Sequence, residues 1–169
     1  MSENDDRYSF PDATNPPSPV TEPSSSLLPA IAAGVVAALV GGIVWGLIAK
    51  FSDYEVGIVA WGIGWIAGTA VVLATRGAKG PPLQVISIVS ALAGILLGKY
   101  LGYALEIQEQ ADAAGVSIGL FSSDMFTFFR EDLEHVFGLF DLLWVGLAVF
   151  TAWRLTQPDA PEPAATPAE

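Results

Sequence analysis

The chain contains no cysteine and a single histidine, His135, and it sets seven lysines and arginines against eighteen acidic residues. Without thiols there can be no disulfide, no thiol nucleophile, no cysteine-ligated metal and no lipid on cysteine. One imidazole cannot fill the three or four positions of a protein metal site. Glu131 and His135, four apart in "REDLEH" (130–135), therefore read as part of a surface ion-pair network, and no metal or cofactor is expected. A net charge of -11 with so few bases excludes a phosphate-binding surface, and nucleic acid with it. No glycine-rich loop follows a strand pattern, and Ser87 and Ser90 lie in an apolar run without a base and orienting group beside them. They read as helix-to-helix hydrogen bonders, and the chain is not expected to be an enzyme.

Charge is also missing locally. Residues 27–49 and 56–75 carry none, and 52% of all 169 residues are hydrophobic. An apolar helix of about 20 residues crosses a hydrocarbon core of about 30 Å. Four spans are expected, at 27–49, 56–75, 83–105 and 136–155, making one domain over 27–155. The fold class is all-α, a polytopic membrane four-helix bundle. Short connections, "KFSDYE" (50–55) and "RGAKGPP" (76–82), make consecutive early spans antiparallel. Ahead of the last span, residues 123–140 place Phe126, Phe129, Leu133, Val136 or Phe137, and Phe140 at helical spacing behind a Ser-Ser-Asp cap. This predicts an amphipathic helix at the membrane surface running into the fourth span, with a lid on the bundle as its alternative. Residues 1–26 and 156–169 are acidic and proline-rich and read as disordered tails; the aromatics of "RYSFPD" (7–12) are expected to be solvated. The apolar run starts too late and is too long for a signal peptide, so residue 27 opens a retained span.

Glycine is plentiful where helices must touch. Ala30, Gly34, Ala38, Gly42 and Gly46 form one row at four-residue spacing; Ala60, Gly64 and Gly68 form a second; Ser90, Gly94, Gly98 and Gly102 form a third. Such rows let helix backbones approach closely in lipid, so intrachain packing along them is expected, with oligomer contacts as the alternative. Trp45, Trp61 and Trp65 read as packing or interface anchors. One lysine, Lys99, falls inside the third span with no carboxylate a turn away. Asp141 enters the fourth span at a comparable depth, on the side with Gly138, Val145, Ala148 and Ala152 and away from Leu139, Leu143, Leu147 and Phe150. A Lys99–Asp141 ion pair is expected; the competing reading takes Lys99 to lipid headgroups or Glu106 and leaves Asp141 in water.

Lysine and arginine at 76, 79 and 154 put the 76–82 loop and both termini in the cytoplasm, in a multi-pass protein of the cytoplasmic membrane. The stretches "GGIVWGLIAKFSDYEVGIVAWGIGWIAG" (41–68) and "LAGILLGKY" (92–100) resemble segments of small, uncharacterised bacterial multispan membrane proteins. That resemblance implies a class and transfers no site residue. The expected role is a structural or accessory membrane component that associates through its small-residue stripes with itself or another membrane protein, in contact with the bilayer. The alternative is a small-solute or ion transporter or channel component, although no discontinuous helix pair or inverted duplication supports it.

Overall fold

The computed structural model describes residues 27–52 and 57–159. The expected tail 1–26, residues 160–169 of the expected tail 156–169, and residues 53–56 of the first hairpin lie outside the described residues. Among the described residues six helices follow in order: α1 (Leu28–Ser52), α2 (Ile58–Ala74), α3 (Pro81–Ala113), α4 (Ser123–Glu131), α5 (Leu133–Val136) and α6 (Leu139–Leu155). Among the described residues there is no strand, and the chain is all-α.

Local chemistry sets the ends. Pro81 and Pro82 occupy the first turn of α3, where the missing N–H groups have no intrahelical partner to lose. Gly115, at φ +77°, ends the same helix, and the Val116 amide turns back to the Ala111 carbonyl at 2.8 Å. This is a left-handed cap that a side chain would strain. The Ser122 hydroxyl caps α4 by accepting from the Met125 amide at 3.2 Å.

Two pairs of helices run parallel and approach most closely. Along α1 and α3, a side chain added at Gly34 would strike Ser90. One at Gly42 would come within 2.9 Å of the Gly94 carbonyl oxygen, and one at Gly98 within 3.0 Å of Trp45. Along α2 and α6, Gly64 lies against the Ala148 backbone, and Gly68 would meet Ala152 Cα at 3.3 Å. The other stripe members take part as well: Gly94 abuts Ala38, Gly46 abuts Leu101 and Gly102 abuts Ala49. The rows therefore interlock within one chain, as backbone-to-backbone packing requires. α2 and α3 also touch each other, and α1 and α6 flank them.

Ala30, Val71 and Leu83 cluster at one end, bringing together the start of α1, the end of α2 and the start of α3. Ser87 meets Thr156 at that same end, so α6 finishes where α1 begins. We call this the base; α4 and α5 cover the opposite, capped end.

Side chains are sorted by size. The buried set is dominated by alanine, while α1 exposes a succession of Val, Leu and Ile, and α6 exposes Leu139, Phe140, Leu142, Leu143 and Phe150. A water-soluble domain rarely leaves so large an apolar area uncovered. Two helices, Leu28–Phe51 and Pro81–Ala113, are long and apolar enough to cross a membrane. α2 and α6 have 17 residues each, about 26 Å at 1.5 Å per residue, and fall short of the usual span length.

Several boundaries differ from those read in the sequence. The third helix continues past 105 to Ala113, about 50 Å in all, since Gln110 bonds Glu106 at 2.9 Å and Lys50 reaches Glu109 at 2.7 Å on the extension. α1 likewise runs to Ser52, beyond 49. The segment 123–140 is not one helix running into the last span. It stops at Asp132, resumes as α5 and breaks at Phe137–Gly138, because Phe137 is extended and Asp141 accepts from the Gly138 amide at 2.7 Å to begin α6 afresh. The last helix consequently starts at Leu139, not 136. Nor does the folded part stop at 155: Thr156 is fully buried, and its carbonyl accepts from the Gly80 amide at 3.0 Å.

Candidate functional site

The chemistry of this chain gathers at the capped end. A cleft of about 640 Å³ opens there, lined by α1 (Trp45, Ala49, Lys50), by α3 (Gly98, Lys99, Gly102, Tyr103, Glu106) and by the cap (Asp132, His135, Val136). Gly98 and Gly102, the last two members of the α3 row, line the cleft and also pack against Trp45 and Ala49 of α1.

Lys99 lies at the bottom, its side chain 3% exposed, beside Asp141 at 12%. The ammonium stands 3.0 Å from Asp141 Oδ1 and 3.1 Å from Oδ2, and it donates to the Val136 carbonyl at 2.9 Å. The rings of Trp45 and Phe137 lie 5.9 and 5.7 Å from it, within cation–π range. Lys99 thus clamps the broken connection from both sides, binding the last carbonyl of α5 and the first-turn carboxylate of α6. Asp141 serves two functions, since the Oδ2 that faces Lys99 also caps Gly138. The structure brings these two sequence-derived residues together, but at a different place along the last helix. Asp141 sits in the first turn of α6 instead of five or six residues into a span.

The cap is tied down by polar groups that α3 presents at i and i+3. Tyr100 donates to the Leu120 carbonyl, and Tyr103 donates to Asp132 Oδ2 at 2.6 Å. Met125 and Phe129 are buried beneath α4 against Tyr100 and Ala104, and Tyr100 stacks on Phe126 with ring centres 5.0 Å apart. The cap is therefore seated on α3 around residues 100–104. Phe121 and Phe126 still expose half or more of their surface. On the open side Lys50 donates to Glu109 at 2.7 Å, and that hydrogen bond holds the Glu109 carboxyl below its usual range.

The glycine and alanine residues named from the sequence lie in the helix contacts below the cleft, apart from Gly98 and Gly102, which belong to both. Trp45 is buried, whereas Trp61 and Trp65 face outward and Trp61 donates to Thr151 at 2.9 Å. Sequence reasoning missed the roles of Lys50, Tyr103, Asp132 and the Val136 carbonyl. A signal for the last was present: Phe-Gly followed three residues later by Asp is a helix-start pattern. Among the described residues no group of three or more His, Asp or Glu side chains could hold a metal ion. No family model, no curated protein and no solved structure matches this chain, so its own chemistry has to carry the functional reading.

Proposed function

We propose that this chain is a multi-pass component of the cytoplasmic membrane, crossing it four times, with a structural or accessory role exercised through association with itself or with another membrane protein. One observation carries the reading: small residues fill the inside while large aliphatic and aromatic residues cover the outside, the reverse of what water selects. For α2 and α6, local thinning of the bilayer and a tryptophan near a helix end, Trp153, accommodate about 26 Å of helix at a modest cost. The base, with Arg76, Lys79 and Arg154, faces the cytoplasm with both termini, and the acidic capped end faces outward. In this frame α4 lies in the interfacial zone with Phe121 and Phe126 toward lipid, while its inner face closes the bundle.

The accessory role is favoured by the interior. Beneath Trp45 and Lys99 the next layer is Ala60, Ile63, Ile95 and Ala148, each at most 2% exposed and in mutual contact. A transporter or channel component, the alternative, would need a wet route through that layer; the cleft above it is the observation in its favour. Affinity purification in a mild detergent tests the role: a stoichiometric membrane-protein partner or a discrete oligomer is expected, and a lone monomer would overturn it. A C-terminal reporter active only in the cytoplasm tests the topology, and a signal solely from an outside-only reporter would refute it.

A further inference from the structure

We infer that the cleft at the capped end is a binding site for a small organic cation bearing an amidinium, guanidinium or primary ammonium group. Its volume of about 640 Å³ falls within the range of small-molecule sites, about 300–1,000 Å³. Each of its two lysines already has a carboxylate: Lys99 has Asp141 and Lys50 has Glu109. The two carboxylates of the lining itself, Glu106 and Asp132, form no ion pair among the described residues.

Both are nevertheless fixed in place by neutral donors. Gln110 Nε2 holds Glu106 Oε1 at 2.9 Å, and the Tyr103 hydroxyl holds Asp132 Oδ2 at 2.6 Å. Each carboxylate thus keeps one oxygen available and is oriented before any ligand arrives. They line the cleft from different elements, α3 and the cap, so a cation with several N–H donors is offered carboxylate oxygens from two walls. The lining also carries Lys50, Lys99 and His135, and because Glu109 and Asp141 neutralise the two lysines, the charge left over in the wall is that of Glu106 and Asp132. A metal ion is a poor fit, because three carboxylate or imidazole groups do not converge. Ala49, Val136 and the edge of Trp45 offer apolar contact for the body of an organic ligand.

The probes are benzamidinium and benzoate, two flat ions of similar size and opposite charge, titrated into the purified full-length protein in neutral detergent. Saturable binding of benzamidinium is expected, with the Trp45 indole resonance shifting along the titration and benzoate binding at least about tenfold more weakly. Glu106→Gln and Asp132→Asn retain the hydrogen bonds from Gln110 and Tyr103, and each should weaken benzamidinium by about fivefold to tenfold. Equal binding of the two probes, no saturable benzamidinium binding, or unchanged affinity in both variants would overturn the assignment. The probe comparison stands on the unmodified protein, so a variant that fails to fold leaves the test intact. The inference does not depend on the accessory role: a cation site with no partner, or a partner with no cation site, separates the two.

Discussion

Replacing Asp141 probes both the charge pair and the helix start, and two substitutions separate them. At 3.0 Å and an effective dielectric of about 20, the attraction between Lys99 and Asp141 is about 5 kcal/mol before any desolvation is subtracted. Burying two ions costs several kcal/mol each, so the pair need add little to net stability, but removing one partner strands the other and should cost about 3–5 kcal/mol. Asp141→Leu removes the charge and also the acceptor for the Gly138 amide, a further loss of about 1 kcal/mol. Asp141→Asn keeps an oxygen for that amide and should cost correspondingly less. Lys99→Met leaves Asp141 capping Gly138 with its charge uncompensated by the ammonium. Reversible unfolding in mixed detergent micelles, run as a double-mutant cycle, measures each step. The Lys99→Met, Asp141→Leu double variant should be at least about 1 kcal/mol more stable than the sum of the single losses predicts. Strict additivity, or equal costs for Asn and Leu at 141, would refute the reasoning.

Gly64→Ala should destabilise by about 1–3 kcal/mol in the same assay, because its methyl would meet the Ala148 backbone. Gly62→Ala has open space around it and should be neutral or raise stability by about 0.5–1 kcal/mol; a similar loss at both positions would contradict the packing of α2 on α6. Gly115→Ala, at φ +77°, should cost roughly 1–2 kcal/mol, read as a lowered thermal midpoint. Glu109 has a carboxyl pKa depressed by Lys50, so its contribution is present above the unfolded-state value and is lost as pH falls through the lower folded value. A carbon-detected NMR titration should place it below an ordinary glutamate and return it toward normal in Lys50→Met; an unchanged midpoint would dismiss the Lys50 contact.

The sequence alone settled what depends on composition and on periodicity within one helix. Uncharged runs fixed α1 and α2 to within a few residues, and four-residue spacing of small side chains marked which helix faces come together, because both follow from 3.6-residue geometry. Lys99 announced itself as needing a partner, since a charge in an apolar run is costly wherever the helix lies. Which rows met which was a different matter. That α1 lies on α3 and α2 on α6, each pair parallel, follows from how four helices share two crowded contacts, and no single row encodes its mate. The break at Phe137–Gly138 was settled tertiarily too, since Lys99 takes the Val136 carbonyl that a continuous helix would have kept for itself. The α3 extension persists past the apolar run because Lys50 holds Glu109 and Gln108 donates to the Ile118 carbonyl, on residues that hydropathy would have released. The cleft is walled by α1, α3 and the cap together, so no single helix row contains it. Contacts between residues far apart in the chain made those decisions, and their energies depend on distances that a linear pattern does not contain.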